Sequence, residues 1–271
     1  MISPLNRLKT KEDIIAYMDN DDKLVYPILA NIICIIGKII NPYEEKILMC
    51  DKNSATIVGN YVKQFQLFKE YVNAYKVGKQ NICVLLYRVI YESYLRMCYL
   101  IKYGEEAQRK YRLKSYTNRW EFYNQYKTKG GYYKVRNDNF LRDIKDDGFT
   151  VADFADLKKE PTKTVKQLIE EFDQKEFYSY LYGELSGSIH SNWGEVRQIY
   201  LEESEKGEYT PSLYSTPNFR LLISMAEMLI YSSKQYIEWS RDKRMLPLLK
   251  EHERVISLIN EYVVDKYSTV E

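Results

Sequence analysis

Residues 81–101 read NICVLLYRVIYESYLRMCYLI, and this stretch decides the fold. When the stretch is read with the helical period of 3.6 residues, apolar residues fall on opposite sides, which predicts a helix that is apolar nearly all round. A helix of that kind is expected to lie at the centre of a fold. Its two apolar sides are Ile82, Leu86, Val89 and Met97, and Val84, Tyr91 and Leu95.

Helical periodicity continues along most of the chain, and long alternating runs typical of strands are nearly absent. The sequence therefore predicts an all-α protein. The first predicted elements are a short helix capped by Thr10 and an apolar helix ending near Asn41-Pro42. Two helices follow, 54–77 and 79–103, and Gly104 closes the second. After them come a basic helix 105–127, a turn at 129–131 and an irregular stretch to Gly148. The later ones are a short helix from Thr150, a break at Pro161, helices 164–172 and 174–190, a turn at 192–194, a polar loop ending at Pro217, and helices 218–240 and 245–265.

The chain shows no internal repeat and no low-complexity linker, which favours one domain over residues 1–271. We expect N-terminal helices in 1–53, an antiparallel bundle core built from 54–103 and 174–265, and an inserted basic and irregular segment at 104–173. The link around Gly78 is short, and short links join antiparallel neighbours.

Composition excludes several classes of protein. The four cysteines form no CxxC pair, and the first residues lack the basic-then-apolar order of a signal peptide, so we expect a cytoplasmic protein. The most apolar run, 24–40, contains Pro27 and Lys38, which favours a buried helix over a membrane span. Phosphate-loop, dinucleotide and zinc motifs are absent, so we expect no metal and no cofactor.

The central helix carries three charges, Arg88, Glu92 and Arg96, at i, i+4 and i+8. Buried charges must be paired, and Glu92 could bridge the two arginines. The stripe is either part of a functional site or a structural ladder that fixes helix packing, and spacing alone leaves both interpretations open.

Residues 174–193, QKEFYSYLYGELSGSIHSNW, predict a helix with small residues along one face. A glycine inside a helix costs about 1 kcal/mol relative to alanine, so Gly183 and Gly187 suggest a close approach by a backbone or a ligand. Ser186 and His190 lie one turn apart on that face, with Asn192 just beyond. His190 is either a catalytic residue or a capping or core histidine. The other histidine, His252, lies in the polar segment KEHERV, which predicts an exposed helix face.

Residues 109–136 contain nine basic side chains and a single acid, Glu121, so the segment carries +8 while the rest of the chain carries −6. Aromatic residues interleave with the cations, and single-stranded nucleic acid is bound by such mixtures. The alternative is an ordinary amphipathic helix with its rings inside and its cations outside. The candidate nucleic-acid-binding residues are Arg109, Arg112, Lys114, Arg119, Trp120, Lys127, Lys129 and Lys134.

The R-x-x-x-E helix at Arg88 to Glu92, followed by Y-x-x-L-S-x-x-x-H-x-N at Tyr182 to Asn192, resembles a prokaryotic family of unknown function, number 5677. That family is similar to the HEPN helical superfamily, and the resemblance covers about residues 72–240. It implies a HEPN-like core, a metal-independent ribonuclease or defence or toxin effector that acts on RNA, and a homodimer. The HEPN signature has an arginine four to six residues before the histidine, but here Gly183, Glu184 and Leu185 occupy those positions.

The resemblance implies His190 as the residue that moves the proton of a ribose 2′-hydroxyl. Arg88 or Arg197 could supply the missing cation in space, with Glu92 orienting Arg88. The candidate catalytic residues are thus His190, Arg88, Glu92, Ser186 and Asn192, and the expected partner is RNA or another single-stranded nucleic acid, with no membrane. The alternative is a non-catalytic interaction or regulatory module in which the Arg, Glu, Ser and His side chains form a buried polar lock.

Overall fold

The computed structural model describes residues 8–18, 25–41, 49–154, 163–172, 193–205, 207–212 and 218–268. Up to residue 172 the elements are α1 Lys11–Met18, α2 Val25–Ile40, α3 Ser54–Lys76, α4 Gln80–Ser115, α5 Thr117–Tyr126, α6 Tyr132–Asp146, a 3₁₀ turn Val151–Phe154, and α7 Val165–Phe172. They are followed by α8 Trp193–Tyr200, β1 Leu201–Glu203, β2 Tyr209–Pro211, α9 Phe219–Ser240, a 3₁₀ turn Lys243–Met245 and α10 Leu246–Ser268. The described residues confirm the all-α class, with one small two-stranded sheet.

The chain forms two compact units. The first contains residues 1–48, 60–94 and 173–271, and the second contains residues 49–59 and 95–172. Helices α3 and α4 therefore each contribute residues to both units. The predicted insertion at 104–173 corresponds in sequence to most of the second unit.

The core of the first unit is formed by α2, α9 and α10, which pack against one another, with α1 packed on α10. The side of α2 that carries Ile28, Leu29, Ile32 and Ile36 is fully buried, as the apolar spacing of that helix predicts. Asn218 caps α9 by accepting a hydrogen bond from the amide of Arg220 at 2.9 Å.

Buried polar side chains fix the register of α3 against α9. The Tyr61 hydroxyl donates to Ser233 Oγ at 2.7 Å, and its ring stacks on Tyr236 with 4.2 Å between centroids. One turn away, Ser232 Oγ donates to Gln64 Oε1 at 2.6 Å. These groups are fully buried, so their mutual hydrogen bonds offset the cost of removing them from water.

The second unit has its own aromatic core. It is built around Leu113, Phe140, Ile144, Phe149 and Phe154, with Tyr116, Trp120, Tyr123 and Leu141 packed against it. Helices α5 and α6 pack on each other and form a helical hairpin. The chain between them, 127–131, contains Gly131 with φ at 62°, a conformation that favours glycine.

The end of α7 is held to the later part of α4 by Glu171. Its carboxylate accepts hydrogen bonds from Lys102 Nζ at 2.6 Å and Tyr103 Oη at 2.5 Å, and it also pairs with Lys163. Although desolvation raises the pKa of Glu171, these three donors outweigh it and hold the pKa at about 2. The carboxylate is therefore charged throughout the neutral and mildly acidic range.

Helices α1 to α3, α7, α9 and α10 begin and end close to the predicted bounds. Helix α4 begins where predicted but continues past residue 103 to Ser115, and the predicted break at Gly104 is confirmed as a non-helical residue within it. The predicted basic helix 105–127 is wrong as one element, because it divides at Tyr116 into the end of α4 and α5. The hydroxyls beside the break bond to carbonyls of the preceding turn, from Ser115 to Arg112 at 2.6 Å and from Thr117 to Lys114 at 2.8 Å. Such bonds compete with regular helix formation.

The irregular stretch predicted up to Gly148 is wrong, because Tyr132–Asp146 is the helix α6. Asn137, Phe140 and Ile144 are buried at spacings of three and four residues, which is the helical signal that the many charges around them concealed. The turn predicted at 192–194 and the loop after it are also wrong over their described part, where α8 and the β1–β2 hairpin lie. Predictions for 155–162, 173–192 and 213–217 lie outside the described residues.

Candidate nucleic-acid interface

Among the candidate catalytic residues, Arg88 and Glu92 lie in the described part of the chain, whereas Ser186, His190 and Asn192 lie outside it. Arg88 Nε donates to Glu92 Oε1 at 2.9 Å across one turn of α4. The Arg88 side chain is 18% exposed and that of Glu92 is 36% exposed, so the ion pair is only partly buried. The guanidinium of Arg96 lies over the Tyr111 ring, 5.9 Å from its centroid.

The first half of α4 is buried on some sides and exposed on another. Val84, Tyr91, Leu95 and Met97 are buried as predicted. The prediction is wrong for Ile82 and Val89, which are more than a third exposed together with Leu85. These three residues recur at i, i+3 and i+7, so they form an exposed apolar stripe along one side of the helix.

The cations of the basic segment fall into two sets. In the first set, arginines point toward carboxylates of the second unit: Arg109 pairs with Asp153 at 2.6 Å, Arg112 with Asp147 at 3.1 Å, and Arg119 with Asp143 at 2.9 Å. Hydrogen bonds from the Thr150 amide and from Arg109 lower the pKa of Asp153 below its ordinary range. These arginines help to hold the unit together.

Arg112 is the most deeply placed of these arginines. It also donates from Nη1 to the backbone carbonyl of Asp147 at 2.9 Å and from Nη2 to Asn53 Oδ1 at 3.0 Å. Its guanidinium lies 5.0 Å from the centroid of the Phe149 ring. The candidate Trp120 is likewise engaged in the core, where it stacks on Phe154 at 5.2 Å between centroids.

The second set of cations lies at the end of the α5–α6 hairpin. We call this surface the basic tip; it consists of Phe122, Tyr126, Lys127, Lys129, Tyr132, Tyr133, Lys134 and Arg136. Its four cations are exposed, and among the described residues no carboxylate pairs with any of them. Residues 122–136 contain these four cations and no acid, so the tip is a local concentration of positive charge.

The aromatic rings of the basic tip form a contiguous cluster. The ring centroids of Tyr126 and Tyr133 lie 4.7 Å apart, and those of Phe122 and Tyr126 lie 4.8 Å apart. Phe122 stacks on Tyr133 with 6.0 Å between centroids. Tyr132 lies at the edge of the cluster and is 66% exposed. The rings support one another and still present aromatic surface to solvent.

Two of the cations are fixed against these rings. The Arg136 guanidinium lies 4.3 Å from the centroid of Phe122, and its Nη1 donates to the Tyr132 hydroxyl at 3.0 Å. Lys129 Nζ lies over both Tyr126 and Tyr133, at 5.2 and 5.4 Å. Arg136 was missing from the predicted binding residues, and the i, i+4 spacing from Tyr132 would have identified it.

The structure therefore keeps Lys127, Lys129 and Lys134 of the predicted binding set together on one surface. It places Arg109, Arg112, Arg119 and Trp120 in the ion pairs and ring contacts of the second unit. Lys114 is half-buried near the end of α4.

In the described ranges, no three metal-binding side chains converge on one point. Across the same ranges, no helix has the length and apolar character needed to cross a bilayer.

Together, these features define an all-α protein that presents a basic, aromatic surface at the end of a helical hairpin. The chain matches the model of the Family of unknown function (DUF5677) over residues 55–209. That match spans more than half of the chain, and the protein belongs to this family. No curated protein and no solved structure matches it.

Proposed function

We propose that the protein acts on RNA and holds single-stranded RNA at the basic tip. The observation that carries the proposal is the set of four exposed cations, without a carboxylate partner in the described part of the chain, around a cluster of four aromatic rings. Cations neutralise phosphates, and base stacking on an aromatic ring contributes about 1–3 kcal/mol per base. Unpaired bases can reach the rings, whereas bases inside a duplex cannot.

The arrangement of the rings favours this function over simple attraction of anions. Phe122 stacks on Tyr133, and Tyr126 contacts both rings at a tilt, so little side-chain freedom is lost when a base joins them. Tyr132 offers the most exposed ring, and Lys134 follows it closely in sequence and is exposed. A phosphate and its base can thus be bound by neighbouring side chains.

Fluorescence anisotropy with a labelled single-stranded RNA tests the proposal. The variant Lys127→Ala/Lys134→Ala removes two phosphate contacts and should weaken binding by about tenfold or more. Tyr132→Ala removes a stacking surface and should weaken binding by about 5- to 150-fold. A control variant, Lys243→Ala/Lys250→Ala, removes two exposed lysines of the first unit and should bind as the wild type does.

The proposal fails if the wild type does not bind single-stranded RNA at low salt, or if the control loses as much affinity as the tip variants do. Circular dichroism of each variant checks that the helices are intact. A duplex of the same sequence should bind more weakly than the single strand, because its bases are not available for stacking.

For the chemistry, we propose the metal-independent RNA cleavage that the HEPN resemblance implies. His190 would accept the proton of a ribose 2′-hydroxyl, whose oxygen attacks the adjacent phosphorus. The bond to the 5′-oxygen breaks, this oxygen takes a proton from water and leaves as a 5′-hydroxyl, and the other product is a 2′,3′-cyclic phosphate. Arg88 would stabilise the negative charge of the phosphorane, and Glu92 would orient Arg88. The 2.9 Å hydrogen bond from Arg88 Nε to Glu92 supports this, because it fixes the guanidinium on α4.

Cleavage in the presence of EDTA tests this chemistry. His190→Ala should abolish formation of the cyclic phosphate, since general acid–base catalysis contributes about 10²- to 10⁴-fold. Glu92→Gln should lower kcat more than it raises KM, because Glu92 acts through Arg88. The proposed role of His190 is wrong if His190→Ala cleaves at the wild-type rate. Slowed growth on expression in a bacterium, relieved by His190→Ala, would support a toxin or defence effector.

A non-catalytic interaction module is the second candidate. The exposed stripe of Ile82, Leu85 and Val89 favours it, because adjacent apolar residues on a helix surface are typical of a docking site for a partner. In this function, Arg88 and Glu92 belong to a polar lock together with Ser186 and His190. RNA binding at the basic tip without cleavage, both in EDTA and with added Mg²⁺, would identify the protein as a binding module.

A further inference from the structure

A second surface of the chain has the opposite charge to the basic tip. It lies on α8 and the β1–β2 hairpin, which follow each other directly in the first unit. Trp193, Arg197 and Tyr200 recur at i, i+4 and i+7, so they share one face of α8. Trp193 is 59% exposed, which is unusual for the side chain with the largest apolar area.

The hairpin adds an aromatic ring and carboxylates to this face. In the antiparallel register Glu203 lies opposite Tyr209, so both side chains point to the same side of the sheet. Trp193 contacts Tyr209 edge to face, with 5.5 Å between centroids and 81° between planes. Arg197 pairs with Glu203 at 2.5 Å and lies 5.9 Å from the centroid of Tyr209.

Negative charge is concentrated around these rings. Residues 193–211 contain five acids and two cations, Arg197 and Lys206, so the segment carries −3. Glu202, Glu203, Glu205 and Glu208 are all exposed, Glu203 pairs with Arg197, and Lys206 lies outside the described residues. We call this the acidic surface; it consists of Trp193, Arg197, Tyr200, Glu202, Glu203, Glu205, Glu208 and Tyr209. It combines carboxylates with exposed aromatic rings.

We propose that the acidic surface of one copy of this chain binds the basic tip of a second copy. The charges are complementary: three glutamates that are not paired with Arg197 face four cations that are not paired with a carboxylate among the described residues. Both surfaces also carry exposed rings, and tryptophan, tyrosine and arginine are the residues that contribute most to protein interfaces. Lys127, Lys129 and Lys134 can interact with the faces of Trp193 and Tyr200 as well as with carboxylates.

The acidic surface also resembles the nucleic acid proposed for the tip, since carboxylates take the place of phosphates and side-chain rings take the place of bases. This consequence rests on the proposed RNA-binding function: self-association and single-stranded RNA compete for the same tip. RNA should therefore dissociate the complex, and a copy with a disabled acidic surface should bind RNA more tightly at high protein concentration.

The experiment measures mass by sedimentation equilibrium at low and high salt, at protein concentrations up to about 300 µM, because small charged contacts have Kd values in the micromolar range or weaker. The wild type should associate at low salt and dissociate at high salt. Lys127→Glu/Lys129→Glu/Lys134→Glu leaves the tip with three negative charges and one positive charge, Arg136, and Glu205→Lys/Glu208→Lys gives a hairpin of reversed charge. Neither glutamate has a side-chain partner among the described residues, so folding should be preserved.

Each reversed variant should be monomeric alone, because its two surfaces then carry charge of the same sign. An equal mixture of the two variants should associate again, because the acidic tip of one complements the basic hairpin of the other. Rescue in the mixture depends on contact between separate copies. A monomeric wild type, or variants that stay monomeric when mixed, would overturn the proposal.

RNA binding separates this inference from the proposed function. Glu205→Lys/Glu208→Lys should keep its affinity for single-stranded RNA at low protein concentration, whereas Lys127→Glu/Lys129→Glu/Lys134→Glu should lose it. If the charge-swapped mixture associates but the wild type does not bind RNA, the self-association stands and the RNA proposal fails. If the wild type binds RNA and the mixture does not associate, the RNA proposal stands and the self-association fails.

Discussion

His252 lies inside the first unit, although its neighbours Lys250, Glu251 and Glu253 suggested an exposed position. Only 3% of the residue is exposed. Its Nδ1 lies 2.8 Å from the carbonyl oxygen of Leu248, and since a carbonyl can only accept, Nδ1 carries the proton. Nε2 is buried and has no hydrogen-bond partner among the described residues. The signal in the sequence was spacing: His252 lies three residues after the buried Leu249.

Burial lowers the pKa of His252 below its ordinary value of 6.5, against smaller opposing effects of Leu248 and Glu251. A protonated Nε2 would have no acceptor, so folding favours the neutral ring. The unfolded chain therefore binds more protons just below pH 6.5, and stability is lost as the pH falls from that value toward the folded pKa. Urea denaturation should show this loss, with a slope of at most about 1.4 kcal/mol per pH unit from this group.

The controls for this prediction use both histidines. His252→Gln should remove the contribution of this histidine to the pH dependence below pH 6.5 even if it lowers stability at every pH. His190→Gln should leave the contribution of His252 in place. An unchanged slope in His252→Gln would show that the histidine is not buried neutral.

At the scale of the elements, Gly104 interrupts α4 with φ at 66° and ψ at −153°. This region is accessible almost only to glycine, and a side chain there costs about 1–3 kcal/mol. The Leu100 carbonyl, one turn before the break, accepts a hydrogen bond from Gln108 Nε2 at 3.0 Å. The break is thus built into the fold, and the side chain of Gln108 stabilises it.

Gly104→Ala should lower the free energy of unfolding by about 1–3 kcal/mol, because alanine is strained in this conformation. Gly59, in α3, is a matched control in the same unit: it is helical and exposed, and an added Cβ would meet no atom within 4 Å. Gly59→Ala should raise stability by about 0.5–1 kcal/mol. Urea titration measures both, and a neutral Gly104→Ala would contradict the strain.

Most of the long helices could be predicted from the sequence, because a buried apolar stripe repeats over several turns in α2, α9 and α10. Helix α6 could not, since its stripe of Asn137, Phe140 and Ile144 contains a buried amide among charged neighbours. Helix α8 is only eight residues long and each strand of the hairpin only three, too short for periodicity to show.

The sequence predicted which segment contains the candidate interface, but it did not predict which side chains of that segment form the surface. Composition alone identified the excess of cations in 109–136. It could not tell which cations meet carboxylates, because the partners Asp143, Asp147 and Asp153 follow later in the chain and reach the arginines only through folding. Spacing along α4 did predict the Arg88–Glu92 pair, because both residues lie on one helix.

Across the whole molecule, a net charge of +2 conceals a strong separation of charge. Ion pairs neutralise Arg109, Arg112 and Arg119 within the second unit, so the cations of segment 109–136 that remain available to a polyanion are concentrated at the basic tip. Nucleic-acid affinity should then depend on a few local cations and hardly at all on the total charge.

Salt dependence of RNA binding measures this number of cations. Each phosphate contact with a single strand contributes about −0.7 to the slope of log K against log salt, so four tip cations predict a slope of about −3. Lys127→Ala/Lys134→Ala should reduce it to about −1.5, whereas Lys243→Ala/Lys250→Ala changes the net charge equally and should leave it at about −3. Anisotropy titrations between about 50 and 200 mM salt distinguish these values. Equal slopes for the two variants would mean that total charge, and not the tip, attracts the RNA.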